Sequence, residues 1–171
     1  AAVFDKAKLL WLNAHYIKES SPARLAVILN AFLERRGHAD LDLDYLARIV
    51  PLLQARAQTM EEMAQKAECF VTADAALVYD MAAVKKFFTD DVRGHLARLR
   101  EILAGLCCFN QASMEAAVQG YLDERELKFK LIAQPLRVSI TGSTASPGLF
   151  ETMEVMGRDR VLARLDRALS L

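Results

Sequence analysis

A chain of 171 residues has room for one domain, or for two small helical subdomains that share a core. Apolar residues make up 53% of it, and glycine and proline are scarce, which excludes a disordered chain and favours a compact, mostly helical protein. The 22 basic and 22 acidic side chains cancel, so composition by itself favours a generic helical scaffold over a nucleic-acid binder.

The cysteines and histidines predict neither a disulfide nor a metal site. Cys107 and Cys108 are adjacent, and such a pair cannot easily form a bridge or share a metal ion without strain. No cysteine or histidine has the spacing that would combine it with a second such cluster. We therefore expect Cys69, Cys107 and Cys108 to be small buried apolar residues of a protein in a reducing cytoplasm.

No run of the sequence approaches eighteen uninterrupted apolar side chains, so a membrane span is not expected. The first five residues, Ala1 to Asp5, lack the basic and then apolar pattern of a signal peptide. They resemble the beginning of a piece cut from a longer chain.

Helical spacing of apolar residues dominates the beginning of the chain. A first helix follows Asp5 and places on one face Leu9, Leu10, Asn13, Tyr16 and Ile17. Ser20-Ser21-Pro22 supplies an N-cap and a first-turn proline for a second helix, which ends at Gly37 and carries a stripe of Leu25, Ile28, Leu29, Phe32 and Leu33. Pro51 predicts a kink or a break in a third helix, which carries Tyr45, Leu46, Ile49, Val50 and Leu53.

Capping signals organise the middle of the chain. Thr59 and Glu62 have the form of a capping box, which starts a helix that runs to about Phe70. The polar stretch over 72–74 is the best candidate for a join between subdomains. Beyond it we expect a short helix over 84–88, a long helix capped by Thr89 and a further helix capped by Ser113.

Together these elements predict an all-α fold, a helical cage or bundle of about nine to eleven helices joined by short turns. Strand-like alternation is hard to find anywhere in the sequence. We expect two closely packed subdomains, the first over residues 1–72 and the second over residues 73–171.

Residues 131–149 differ from the rest because Arg137 is the only charged residue among them. A single cation in so neutral a run is unusual for a solvated helix face, where charges normally alternate. Two interpretations compete. In one, Arg137 is an intramolecular capper or salt-bridge partner whose stem packs along apolar neighbours. In the other, it is a donor that faces a ligand.

The loop over 142–146 leads into a predicted helix start, with Ser146 as N-cap and Pro147 in the first helical position. Unpaired backbone amides at such a start, together with nearby hydroxyl groups, can hydrogen-bond the pairing edges of unstacked RNA bases. Leu149 adds an apolar side chain that can contact a base face. On chemistry alone, any well-capped helix has the same potential.

Four motifs in order along the chain carry a resemblance. They are Lys8 to Ile17, which fits K-L-x-W-x-N-x-x-Y-I; Gln134-Pro135-Leu136-Arg137; Ser146-Pro147-Gly148-Leu149-Phe150, which follows Thr141-Gly142; and Gly157-Arg158-Asp159-Arg160-Val161-Leu162. In this order the motifs resemble the C-terminal region of bacterial glutamyl-tRNA synthetases, which are class I aminoacyl-tRNA synthetases.

The resemblance implies RNA-binding roles for particular residues. The arginine of the family's Q-P-L-R motif, here Arg137, faces anticodon bases. The turn before P-G-L-F contacts those bases through its hydroxyl residue, its proline and its leucine, here Ser146, Pro147 and Leu149. Many family members have threonine where this chain has Ser146, a change that keeps the hydroxyl group and removes a methyl contact.

The resemblance also implies a second part of the site. In the family, an arginine in an earlier helix checks the third anticodon position and helps to separate tRNA(Glu) from tRNA(Gln). Aligning Tyr45-Leu46 with the family's Y-L places Arg56 in this role, with Arg48 as the alternative. The guanidinium group suits it, because its planar fork of donors can meet a base edge with two hydrogen bonds.

The function that the resemblance implies is anticodon recognition of tRNA(Glu) within a glutamate–tRNA ligase, which attaches glutamate to tRNA in translation. The family's catalytic signatures, H-I-G-H and K-M-S-K or K-L-S-K, are absent from this sequence. We therefore expect no catalytic residue, metal or cofactor here, and ATP only in a catalytic domain upstream. The expected partners are the anticodon loop and that catalytic domain, in a cytoplasmic monomer.

Two alternatives stay open. A paralogue that charges tRNA(Gln) would carry an equivalent domain. A helical protein-interaction module would instead bind another protein through the apolar stripe around Trp11, Tyr16 and Ile17, with Trp11 as the interface anchor.

Overall fold

The computed structural model describes residues 5–171, which contain ten α-helices, one short 3-10 helix and no strand. This confirms the predicted all-α fold and its number of helices. None of these helices is long and apolar enough to cross a membrane. The expectation about a signal peptide falls on residues 1–4, which lie outside the described residues. The 3-10 helix is Asp74–Ala76, and the α-helices are α1 Lys6–Glu19, α2 Pro22–Arg35, α3 Leu43–Gln54, α4 Met60–Val71, α5 Met81–Phe87, α6 Asp90–Ala104, α7 Gln111–Asp123, α8 Lys130–Thr141, α9 Leu149–Met156 and α10 Arg158–Leu169.

The helices group into two compact units that divide between Thr72 and Ala73. The first unit contains α1 to α4, and α2 packs against both α3 and α4. Burial of a large aliphatic or aromatic side chain contributes about 1.5–3 kcal/mol, so this small core supplies much of the unit's stability. Its fully buried members include Leu29, Leu33, Leu46, Ile49 and Phe70.

The second unit contains the 3-10 helix and α5 to α10. Here α10 packs against α6 and α8, while α7 packs against α6 and α9. Phe150 of α9 packs against an apolar cluster formed by α6, α7 and α8, whose buried members are Leu99, Val118, Tyr121, Leu122 and Ile132. The segment that carries the predicted RNA contacts therefore lies on a well-packed support.

Capping side chains begin three helices where the sequence predicts them. Ser21, Thr59 and Thr89 each accept a hydrogen bond from the backbone amide three residues later, at 3.1 to 3.4 Å. In a standard capping box the carboxylate of Glu62 would accept a hydrogen bond from the amide of the N-cap residue, Thr59. Instead it accepts from the amide of Gln58 at 2.6 Å, one residue before the cap.

Two predicted helix starts are wrong. Ser113 does not cap α7, because Asn110 does: its Oδ1 accepts from the Ser113 amide at 2.9 Å. The short helix predicted over 84–88 begins earlier, at Met81, because the Asp80 carboxylate accepts hydrogen bonds from two amides of the first turn. In both cases an Asn or Asp residue just before the helix accepts hydrogen bonds from the backbone amides of the first turn.

Pro51 lies inside α3 and does not break it, since the helix continues to Gln54. Proline removes one backbone donor, and the carbonyl of the preceding turn loses its partner. Because Pro51 is exposed, water can hydrate that carbonyl, and the helix tolerates the proline near its C-terminal end.

The apolar face predicted for α1 is only partly buried. Ile17 is buried, whereas Leu9 is half exposed, Tyr16 is 63% exposed and Trp11 is 66% exposed. Within the described part of the first unit, α1 thus presents a surface that its own neighbours do not cover.

The expectation that all three cysteines are buried is wrong. Cys107 and Cys108 are exposed, and Cys69 is partly exposed. The adjacent pair follows Gly105, the C-cap of α6, and lies in the surface turn that leads to α7. Connecting segments run over the protein surface, which explains why the side chains of this pair are exposed.

A buried guanidinium group links three elements of the second unit. Arg164 of α10 is 0% exposed; its Nε donates to Oδ1 of Asp74 at 2.7 Å and its Nη1 donates to the carbonyl of Ile140 at 2.7 Å. Arg160 Nε lies 3.3 Å from the same carboxylate oxygen, and Arg167 Nη1 donates to the Asp74 carbonyl at 2.8 Å. These three arginines of α10 thus contact Asp74 of the 3-10 helix, and Arg164 also contacts the last turn of α8.

Removing the carboxylate in Asp74→Ala should destabilise the protein by about 3–5 kcal/mol, because the charge of Arg164 stays buried without its counter-ion. Chemical denaturation measures this loss. The control is Asp166→Ala, whose carboxylate pairs with Arg100 at the surface at 2.8 Å and should matter much less. Similar losses in the two variants would contradict the structural role of the buried pair.

Tyr79 should make stability depend on alkaline pH. Burial raises the pKa of its phenol above the usual value near 10, although Arg167 acts in the opposite direction. The folded state therefore holds this proton more tightly, and the stability present below about pH 10 is lost as pH rises through the higher folded pKa. Between about pH 9 and 12 the free energy of unfolding should fall less steeply in Tyr79→Phe than in the wild type. A wild-type slope in Tyr79→Phe would refute the assignment.

Candidate nucleic-acid interface

The C-terminal end of α8 determines where the chain leaves the helix. Gly142 is the C-cap, with a left-handed φ of 76°. A Cβ atom at this position would collide with the carbonyl oxygen of Val78, so glycine is required for space as well as for conformation. The amide of Asp80 also donates to the Gly142 carbonyl at 2.8 Å. These contacts fix the starting point of residues 142–148, the α8–α9 loop.

Arg137 of α8 holds the far end of the α8–α9 loop. Its Nη1 donates to the carbonyl of Ser146 at 3.3 Å, to the carbonyl of Pro147 at 2.7 Å and to the hydroxyl oxygen of Ser146. The structure thus brings together three of the predicted RNA contacts. It also shows the contacts of the intramolecular interpretation of Arg137, with backbone carbonyls as partners in place of a carboxylate.

The predicted helix start at Ser146 is wrong. The helix α9 begins at Leu149, its N-cap is Gly148, and no side chain caps it. The hydroxyl of Ser146 accepts from Arg137 and donates to the Pro147 carbonyl at 3.0 Å, so it is engaged away from the helix amides. Tertiary contact with Arg137 therefore overrides the local capping signal.

Pro147 is buried and Leu149 is only 6% exposed, so neither offers a free apolar face. The part of Leu149 that is not covered lines a groove of about 680 Å³ in the second unit. One wall of the groove comes from α7 and the other from α8 and α9. The side chains that line it include Glu115, Gln119, Phe129, Arg137, Leu149 and Phe150.

Two aromatic residues that line the groove are not among the RNA contacts predicted from the sequence. The rings of Phe129 and Phe150 lie 5.9 Å apart between centroids with a tilt of 30°, and Phe129 is 39% exposed. Phe129 stands between Lys128 and Lys130, and an aromatic residue between two cations is a pattern of nucleic-acid binding. That pattern is the signal that could have identified Phe129.

The remaining predicted contact, Arg56, belongs to the first unit. It is exposed in the turn between α3 and α4, and its carbonyl accepts from Lys66 Nζ at 2.6 Å. Arg56 lines a groove of about 550 Å³ with Trp11 and Lys18. The alternative, Arg48, is also exposed, on α3, and does not line this groove.

No three His, Cys, Asp or Glu side chains within residues 5–171 lie close enough together to hold a metal ion. Two of the three histidines contact aromatic neighbours. His95 Nδ1 lies 2.8 Å from the Tyr121 hydroxyl, and the ring of His15 stacks on that of Trp11 at 6.0 Å.

Several curated proteins are similar to this chain over its full length. The glutamate–tRNA ligase of Nitratidesulfovibrio vulgaris strain Hildenborough is 43% identical over 171 residues, which cover all of this chain and 37% of that protein. The ligases of Syntrophobacter fumaroxidans and Geobacter sulfurreducens are each 41% identical, over 99% of this chain and 36% of their own length. The chain thus spans a little over a third of the curated relatives that it matches.

Solved structures share the fold. A glutamate tRNA ligase from Elizabethkingia meningosepticum in complex with its amino acid superposes with a TM-score of 0.87, over 99% of this chain and 33% of that one. The glutamate-tRNA synthetase of Elizabethkingia anophelis gives a TM-score of 0.84, over 100% of this chain and 33% of that one. Sequence identity is 20% in both cases.

A family model described as an anticodon binding domain matches residues 22–169, which include both units from the start of α2 to the end of α10. The match contains the α8–α9 loop, Arg137 and Arg56. It extends over most of the chain, and its helices are those of the ligase structures. The chain belongs to the family of anticodon-binding domains.

Proposed function

We propose that this chain recognises the anticodon loop of tRNA(Glu) as part of a longer glutamate–tRNA ligase. The observation that carries this proposal is the match to the anticodon-binding family over residues 22–169. The names of the curated relatives, all glutamate–tRNA ligases, support the choice of tRNA.

Arg137 is the centre of the proposed site. It stands at the groove of the second unit and holds the α8–α9 loop through Ser146 and Pro147. A guanidinium group has a fork of donors that can meet a base edge. In this proposal Arg137 and Ser146 offer polar contacts to a base, Leu149 forms part of the groove wall, and buried Pro147 shapes the loop.

Arg56 is proposed to check the third anticodon base. Its side chain is exposed and lines a groove that also contains the aromatic face of Trp11 and the cation of Lys18. Arg48 lies outside that groove, with its guanidinium 5.9 Å from the ring of Tyr45. The surroundings of Arg56 favour it over Arg48.

The proposal extends to the whole protein. A catalytic domain elsewhere in the same chain would attach glutamate to tRNA with ATP, and this region would contribute no catalytic residue and no cofactor. Binding energy from the correct anticodon would help to commit the tRNA to that reaction. We place the protein in the cytoplasm as a monomer, and a paralogue specific for tRNA(Gln) is the alternative within the family.

One observation bears on the alternative of a protein-interaction module. Trp11 and Tyr16 are largely exposed on α1, although the third residue of the predicted stripe, Ile17, is buried. We assign this surface to contact with the rest of the longer protein. Exposed aromatic residues are common anchors of such contacts.

Arg137→Ala should weaken binding of a hairpin RNA with the tRNA(Glu) anticodon loop by about 1–3 kcal/mol, because it removes a guanidinium fork from the groove. Fluorescence polarisation with the 171-residue chain measures the affinity, and circular dichroism checks the fold. Arg98→Ala removes the same charge from an exposed position on α6 and should change the affinity little. If both variants bind equally well, Arg137 is not part of the site.

Arg56→Gln should reduce the discrimination between hairpins that differ only in the third anticodon base. The expected change is in the ratio of the two affinities, since a base-edge contact contributes about 1–3 kcal/mol of discrimination. Arg48→Gln is the matched control and should keep the wild-type ratio. The opposite pattern would transfer the role to Arg48, and unchanged ratios in both variants would exclude both arginines.

A further inference from the structure

The aromatic surface of the second-unit groove is built on rigid elements. Phe150 lies in α9 and packs against the buried cluster of α6, α7 and α8. Phe129 immediately precedes the first residue of α8, and its ring contacts that of Phe150 at 5.9 Å. One ring is thus supported by the core while the other remains 39% exposed. An exposed aromatic ring with a supported neighbour is a preformed surface for another flat ring.

The charged side chains of the groove balance each other and give no net attraction for a phosphate. Arg137 provides one cation, and the exposed carboxylate of Glu115 on α7 provides one anion. A phosphate in the groove would be repelled by Glu115, whereas a neutral ring would not. A nucleobase carries N–H donors and carbonyl acceptors on its edges, which complement the carboxylate and the guanidinium. The groove volume of about 680 Å³ is ample for one base.

Cations for the phosphates lie beside the groove. Lys128 and Lys130 flank Phe129 in the sequence and are exposed. They stand at the N-terminal end of α8, where the helix dipole disfavours positive charge, and no side chain caps this end. These lysines therefore do not stabilise the helix, and their position suits the backbone of a strand whose base enters the groove.

We propose that Phe129 is a base-stacking residue: together with Phe150 it binds one unstacked nucleobase of a single-stranded RNA loop, while Lys128 and Lys130 contact the adjoining phosphates. This inference rests on the proposed function and extends it to Lys128, Phe129 and Lys130, which lie outside the four sequence motifs. The ligand is a nucleobase in an RNA loop, and the alternative occupant is an apolar segment of another protein.

The test uses the 171-residue chain and a hairpin RNA with the tRNA(Glu) anticodon loop, in which 2-aminopurine replaces each loop base in turn. On binding to the wild type, fluorescence at one loop position should be quenched by stacking. Phe129→Leu should abolish that quenching and lower the affinity by about fivefold or more, in keeping with the effect of losing one base–aromatic stack. Phe129→Tyr keeps a ring and should bind within about twofold of the wild type.

The control is Leu131→Ala, because Leu131 is 36% exposed in the first turn of α8 but does not line the groove. Its affinity and quenching should match the wild type. Thermal unfolding checks each variant, and if Phe129→Leu fails to fold, Phe129→Tyr and the wild-type quenching pattern decide.

The outcomes separate the two proposals. If the wild type binds the anticodon hairpin no better than a hairpin with an unrelated loop, the proposed function fails and the stacking role fails with it. If the wild type binds selectively but Phe129→Leu behaves like Leu131→Ala, only the role of Phe129 is overturned. Loss of affinity in Phe129→Leu without quenching at any position in the wild type also overturns stacking, and leaves Phe129 as a residue that contacts the RNA loop without stacking on a base.

Discussion

The buried positive charge of Arg164 is the constraint on which the second unit depends. An ion removed from water costs several kcal/mol unless partners stay within hydrogen-bonding distance. Asp74 and the carbonyl of Ile140 are those partners, both at 2.7 Å. Asp74 lies at the beginning of the unit and Ile140 in the last turn of α8, three residues after Arg137. The charge on α10 thereby positions the end of the helix from which the α8–α9 loop departs.

The positions of the charged residues explain why a chain with no net charge is compatible with an RNA partner. The 22 basic and 22 acidic side chains cancel only as a sum. Arg164 donates its hydrogen bonds to acceptors inside the protein, whereas Lys128 and Lys130 are exposed beside an aromatic ring. Net charge counts structural and solvent-facing cations alike, so it is a poor guide to the local potential at a groove.

Prediction from the sequence succeeded where the determining interaction is local. Ser21, Thr59 and Thr89 begin helices because each bonds an amide three residues away. It failed at Ser146, whose hydroxyl is held by Arg137 of the preceding helix, and it gave no sign that Arg164 is fully buried. The motifs located the α8–α9 loop, whereas the shared groove of Phe129 and Arg137 depends on tertiary packing that no motif contains.

The α8–α9 loop contains one position that cannot be substituted, Gly142, and others that can. Any side chain at this residue meets the Val78 carbonyl, so the junction between α8 and the loop is closed to substitution. Two residues further on, Thr144 and Ala145 are exposed and carry no part of the core. Exchanges there cost the fold little. Under the proposed anticodon recognition, changes in RNA preference, whether natural or selected from a combinatorial library, are therefore tolerated in this short stretch of the loop, next to a fixed junction that must remain glycine.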